Sequence, residues 1–272
     1  MTGTLPRPFW RDMTTVDFSS SDTSSWIAVL PICAIEQHGP HLPVSTDTAI
    51  AEGLIRRSVE LLPNELPVTF LPVVPVGKSN EHIASPGTLT LSWETLGNML
   101  IELGDSVARA GIHKLILANS HGGNVSMINV VARELRVKHD ILVVEASWAR
   151  LGYPEGALTG DENRYGIHGG ESETSIMLHL CPELVKMELA EDFRTSQLQF
   201  EQRFKHLRGH GGMPFGWKAQ DLHPSGAAGD ASKATAEKGR ATIDHQARAF
   251  VELLEDVHSF DWQAHISEGT AT

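Results

Sequence analysis

The sequence predicts an α/β protein in which a largely parallel sheet carries helices on both faces. Two observations lead there. Apolar runs at residues 27–35, 68–76, 114–118 and 141–146 are short and aliphatic, as buried strands are. Longer stretches with apolar residues at helical spacing separate them, and strands that alternate with helices pair in parallel. At 272 residues the chain is long enough for one large domain with a sizeable core. The expectation is a single domain over 1–272, with residues 1–25 as an arm and 259–272 as a loose tail.

Residues 1–25 are polar and rich in Ser, Thr and Asp, and read as an arm with a short helix. The run 27–35 is apolar throughout, so the first strand is expected to be buried on both faces. Residues 46–62 place Ile50, Leu54, Ile55 and Leu61 at helical spacing. The run 68–76 contains Pro72 and Pro75, which put it at a sheet edge or break it. Ser92 caps a helix that runs to about Ala110, where Gly111 stops it. Strand 114–118 leads into a Gly-rich turn and a helix over 125–138. Strand 141–146 follows. Residues 152–170 are rich in Gly and charge, and read as a loop that delivers a short helix ending at Leu180. Residues 195–230, with His206, His210, Trp217 and His223, are irregular and read as a functional loop or an oligomer contact. A last helix is expected from Ser232 to about His258.

The formal net charge is −12, and the longest basic cluster is Arg56-Arg57. A phosphate-backbone binder carries a basic patch, so nucleic acid is not an expected partner. No run of about 18 apolar residues exists, so no membrane span is expected. The first 25 residues lack the apolar core of a signal peptide, and the cytoplasm is the expected compartment. Cys33 lies inside the first strand and reads as a small core hydrophobe rather than a nucleophile. With Cys181 it makes only two cysteines, too few for a disulfide framework.

Chemistry-bearing residues gather where strands give way to polar sequence. The first strand runs into Glu36-Gln37-His38-Gly39-Pro40-His41, with Asp47 nine residues beyond His38. In a parallel sheet, ligands bind at the carboxyl ends of the strands. Glu36 and His38 are two apart and face the same side in extended chain, with Cα atoms roughly 6.6 Å apart. Two metal ions in a hydrolase sit only ~3.5–4 Å apart, so each residue could take one ion and Asp47 could bridge both. A solvated turn would carry the same letters, and Asp47 would also suit the positive end of a helix dipole. Two further junctions shift the balance: His121 after the third strand, and His168, Glu171 and Glu173 around the start of the short helix. Glu36, Asp47 and Glu173 set against two divalent cations and one bridging hydroxide make a neutral cluster. Oxygen and nitrogen donors without thiolate suit Zn or Mn and do not separate them. Such ions would lower the pKa of water toward ~7 and polarise a carbonyl.

Taken together, these segments resemble the creatininase family of metal-dependent hydrolases. The resemblance runs from about residue 26 to 240. It rests on Glu36-Gln37-His38-Gly39-Pro40-His41-Leu42-Pro43 with Thr46-Asp47-Thr48, on Glu81-His82 with Pro86-Gly87-Thr88, and on Asn119-Ser120-His121-Gly122-Gly123-Asn124. His168-Gly169-Gly170 with Glu173-Thr174-Ser175, and Ala236-Glu237-Lys238-Gly239, complete it. The resemblance implies a three-layer α/β/α sandwich with a mostly parallel central sheet, two divalent ions per chain (Zn or Mn), and a homohexamer. By the family pattern Glu36 and His121 hold one ion, His38 and Glu173 the other, and Asp47 bridges. His168 is implied as an acid/base or substrate-orienting group, and its titration near neutrality suits protonation of a leaving amide nitrogen. Glu171 is a second catalytic candidate, although a Glu in a first helical turn also complements the dipole. Glu81, His82, Trp217 and His223 are candidates for substrate binding.

One position departs from the enzyme that names the family. Creatininase takes a metal carboxylate two residues beyond the histidine that matches His121, where this chain has Gly123. Glu173 is the best candidate to supply the missing carboxylate. The implied activity is hydrolysis of a non-peptide C–N bond in a small-molecule cyclic amide or formamide. Trimming of a short peptide is the alternative. A metal-stabilised binding protein without turnover is a third reading, and the complete ligand set with His168 argues against it.

Overall fold

Residues 5–262 and 264 are described in the computed structural model. Four strands, β1 (Ile27–Ile32), β2 (Val68–Phe70), β3 (Lys114–Asn119) and β4 (Leu142–Ser147), form a parallel sheet in the order β2-β1-β3-β4. The principal helices are α1 (Thr46–Leu61), α2 (Trp93–Arg109), α3 (Val125–His139), α4 (Glu171–Leu180) and α5 (Ala236–Ser259). β1 pairs on both sides, and every one of its residues is buried. Successive side chains of a strand point to opposite faces. Ile27 and Val29 accordingly pack with α1, α4 and α5. Ala28, Leu30 and Ile32 pack with α2 and α3. The result is the expected sandwich, with helices on both faces of a parallel sheet.

Element boundaries follow local chemistry. Ser92 Oγ accepts a hydrogen bond from the Thr95 N–H at 3.2 Å and so caps α2. Thr235 Oγ1 does the same for the Lys238 N–H at 3.3 Å. That cap starts α5 at Ala236 rather than at Ser232, and residues 231–233 form a separate 3-10 turn. Gly239 allows α5 to touch α4, because a Cβ there would lie 1.9 Å from the Ser175 carbonyl oxygen. Of the run 68–76 only Val68–Phe70 stays in the sheet. Proline has no N–H to donate, and past Pro72 only Val74 returns, bridging Ile32. β2 is thus an edge strand. The arm covers it, with the Phe70 N–H donating to the Pro8 carbonyl at 2.8 Å.

The arm contains the expected short helix, Thr15–Ser19, closed by a Thr14–Asp17 capping box. Residues 1–4 and most of the expected loose tail lie outside the described residues. The near part of that tail is docked: Trp262 is buried beneath the Arg136 guanidinium, 4.3 Å from the ring centroid. Residues 195–230 are less irregular than expected, because they include the helix Gln197–Arg203 and a short turn of helix, Ala219–Leu222. Among the described residues no helix is long and apolar enough to cross a membrane.

The topology places the site. The chain passes from β1 out to β2, then crosses back to β3 on the other side of β1. The crevice beyond the carboxyl ends of β1 and β3 is therefore a topological switch point, where open α/β sheets bind ligands.

Candidate metal centre

Past β1 the chain turns outward and folds back, with the Glu36 N–H donating to the Val44 carbonyl at 2.9 Å. That closure brings Asp47, in the first turn of α1, against Glu36 and His38. Past β3, Asn119 Nδ2 donates to the His121 carbonyl at 2.7 Å and holds the histidine turn. Asn124 joins the two strand ends: its Nδ2 donates to the Cys33 carbonyl at 3.0 Å, and its Oδ1 accepts the Lys78 N–H at 2.9 Å. The fifth residue, Glu173, comes from the first turn of α4, where its Oε2 accepts the Gly169 N–H at 2.6 Å.

Five residues from four segments converge. His121 Nδ1 lies 3.1 Å from Glu36 Oε1 and 3.5 Å from Asp47 Oδ2. His38 Nε2 lies 3.5 Å from Asp47 Oδ1 and 3.8 Å from Glu173 Oε2. Glu36, Asp47 and His121 form one set whose ligand atoms lie within 4.8 Å of one another; His38, Asp47 and Glu173 form a second, and Glu36, His38 and His168 a third. Asp47 belongs to the first two sets and turns a different oxygen to each. Both oxygens of Glu36, His38 Nε2 and Asp47 Oδ2 are buried and have no hydrogen-bond partner. Buried polar atoms are normally paired, and an unpaired buried charge is costly. Convergent carboxylate and imidazole atoms left in that condition fit divalent cations of the Zn or Mn type.

The hydrogen-bond network assigns the imidazole tautomers. His38 Nδ1 lies 3.0 Å from the Glu36 carbonyl and donates to it, so Nε2 is the nitrogen that faces the cluster. His121 Nε2 lies 3.0 Å from the Lys78 carbonyl and donates to it, so Nδ1 is the nitrogen that faces Glu36 and Asp47. His168 Nε2 donates to the Gln37 carbonyl at 2.6 Å, and its Nδ1 faces Glu36 Oε1 at 3.6 Å. His82 is reversed. Its Nδ1 accepts from Gln37 Nε2 at 2.7 Å, so its N–H on Nε2 points at Glu36 Oε1, 3.4 Å away. The second N–H of Gln37 donates to the Gly226 carbonyl at 2.9 Å.

Electrostatics sort the same groups. Burial pushes His38 down, but Asp47, Glu173 and Glu36 outweigh it and raise the imidazole to about 10. Burial opposes His121 likewise, and Glu36, Asp47 and Glu81 raise it to about 9. Glu36 is held well below the usual carboxylate range: burial works against ionisation and the facing histidines win. Asp47 is lifted by burial to about 6. Burial and His38 lower His168 to about 4, and burial and His168 lower His82 to about 3. Both shifts favour the neutral imidazole at His82 and His168.

The structure thus brings together Glu36, His38, Asp47, His121 and Glu173, with His168 and His82 against them. Glu81 stands behind His121, its Oε1 3.6 Å from Nε2. Glu171 is elsewhere. Wholly buried, it pairs with Lys238 Nζ and accepts from the Thr159 N–H at 3.0 Å and hydroxyl at 2.9 Å. Expected as a catalytic candidate, the Glu171 carboxylate instead ties the 152–170 loop to the start of α5. Trp217 and His223 are also displaced. Trp217 Nε1 donates to the Gly209 carbonyl at 2.7 Å, and His223 Nδ1 lies 2.8 Å from Ser225 Oγ. Neither lines the cavity beside the cluster. That cavity holds about 240 Å³, is bounded by His121 and Glu173, and is walled by Ile50, Trp148, Tyr153 and Ser172.

The sequence reading missed Trp148 and Tyr153 because the segment after β4 carries no carboxylate or histidine. Its place at a fourth strand end was the available signal. Gln37, a polar side chain between two ligand types in sequence, carries a signal of its own. Cys33 is buried as expected, and burial pushes its thiol up to about 12, which removes it as a nucleophile near pH 7.

Carboxylates and imidazoles converging at the switch point of a parallel α/β sheet fit a site that could hold metal ions. The chain belongs to the creatininase family: the profile described as creatininase, creatinine amidohydrolase, matches residues 11–254. It is a hydrolase of a family that acts on amide C–N bonds. A mycofactocin precursor peptide peptidase from Mycobacterium ulcerans (strain Agy99) is 33% identical over 88% of this chain and 86% of its own length. Creatinine amidohydrolase from Pseudomonas putida is 30% identical over 61% of this chain and 68% of its own. A crystal structure of creatinine amidohydrolase superposes with a TM-score of 0.72 at 26% identity, covering 94% of this chain and 99% of that one. Solved creatininases of the same fold include a manganese form and a variant of Zn-Zn type.

Proposed function

We propose that this chain is a dinuclear metal-dependent amidohydrolase. Glu36 and His121 would hold one ion and His38 and Glu173 the other, with Asp47 serving both. The observation that carries the reading is the division of Asp47, with Oδ1 turned to one donor set and Oδ2 to the other. The manganese and zinc forms of solved creatininases support Zn or Mn. Two such ions would supply an acidified water and a polarised carbonyl.

The protein's own groups do the rest. Burial favours the neutral form of His168, whose Nδ1 faces the cluster. It can take the proton of the attacking water and pass it to the leaving nitrogen. Gln37 keeps that tautomer in place by accepting the Nε2 proton on its carbonyl. His82, with its N–H aimed at Glu36, steadies the carboxylate. The walls of the 240 Å³ cavity orient the remainder of the substrate.

The substrate we propose is a short peptide or peptide-like amide. The longer and closer match to a peptidase than to creatinine amidohydrolase supports this over a cyclic amide. Gly123 supports it too, since it offers no side chain where creatininase has a carboxylate, and the pocket floor must differ. A turnover screen of short peptides, formamides and cyclic amides on Zn- and Mn-loaded protein tests the reading. Creatinine is expected to be the poorer substrate by roughly 10–200-fold, the range that small mismatches in a pocket produce. Creatinine turned over as well as or better than every peptide would overturn the assignment.

A further inference from the structure

The space left by the missing side chain of residue 123 is used. A Cβ on Gly123 would lie 2.1 Å from Glu81 Oε1, 2.4 Å from His121 Nε2 and 2.5 Å from the Lys78 carbonyl oxygen. These three polar atoms therefore converge on the bare face of the glycine. All of them lie on the side of His121 turned away from Glu36 and Asp47. The Lys78 carbonyl accepts the Nε2 proton at 3.0 Å, and Glu81 Oε1 stands 3.6 Å from the same nitrogen. The other Glu81 oxygen lies 3.5 Å from Lys78 Nζ, which tethers the carboxylate from the loop side. Glu81 is largely buried, with 13% of its side chain exposed, so its charge acts on the imidazole with little screening by solvent.

We infer that Glu81 is a positioning residue for His121: its carboxylate, admitted by Gly123, polarises the imidazole and raises the affinity of the ion that His121 and Glu36 hold. The inference rests on the dinuclear reading above. A histidine that binds a metal through one nitrogen commonly has the N–H of the other turned to a carboxylate or a carbonyl. Here it faces one of each. The backbone carbonyl sets the tautomer, and the carboxylate adds charge. The arrangement also explains why residue 123 is glycine in this chain. Even an alanine there would press on both the carboxylate and the ring.

The test is metal affinity, read by competition with a chromogenic chelator on chelator-stripped protein titrated with Zn or Mn. Glu81→Gln preserves shape and removes charge. It is expected to weaken one of two ions by roughly 10–100-fold and to leave the other unchanged, the usual cost of losing such a partner. Gly123→Ala, which touches no ligand atom facing the ions, is expected to weaken the same ion. Thermal melts of the stripped variants should match that of the stripped parent. Unchanged affinity for both ions in well-folded Glu81→Gln would overturn the inference and leave the dinuclear reading standing. A parent protein that binds neither ion would overturn both.

Discussion

Asp47→Asn is expected to lose metal and hydrolysis together while the fold persists. As the one carboxylate facing both donor sets, Asp47 serves two ions at once. Changes behind a ligand cost 10–100-fold, so loss of the bridge should cost more than about 100-fold in turnover. Metal content should fall below that of the parent at equal free metal. If Asp47 only complemented the α1 dipole, its removal would cost about 0.3–1 kcal/mol of stability and nothing in activity. The two outcomes are far apart. Full metal content in the variant would leave Asp47 as a helix-start residue and remove the bridge.

Glu173→Gln is the second large effect. The amide retains an oxygen to accept the Gly169 N–H, so the start of α4 should hold. What disappears is the charge beside His38 Nε2. One ion should be lost and the other retained, with turnover falling more than about 100-fold for the same reason as above. Competition titration should then show one tight ion where the parent shows two. A variant with two tight ions and normal turnover would mean that the carboxylate absent at Gly123 is supplied from elsewhere.

Much of the fold was legible because burial writes itself into composition. β1 is apolar at every position since both of its faces are covered. Pro72 and Pro75 announced an edge because a missing N–H is a local property of the residue. The metal-type residues were legible for a related reason: each sits in the few residues after a strand end or in the first turn of a helix, so topology alone gathers them. What was not legible depended on distant partners. Glu171 and Glu173 are two apart on the same helix, and nothing local says that one meets Lys238, 67 positions on, while the other meets His38. Trp217 and His223 stand in a segment whose sequence has no periodicity to fix a direction. The tautomers of His38, His82, His121 and His168 depend on carbonyls and an amide brought together only by the fold. The docking of Trp262 under Arg136 was equally invisible, since it joins the region beyond α5 to α3.

The central claim is that two divalent ions share Asp47. Elemental analysis of protein purified without chelator, paired with quantitative amino-acid analysis, tests it most directly. Asp47 belongs to two sets of donor atoms, one with Glu36 and His121 and one with His38 and Glu173. The account predicts a content approaching two divalent ions per chain, restored by Zn or Mn after stripping. A reproducible value near zero, with added Zn and Mn also failing to bind, would contradict it.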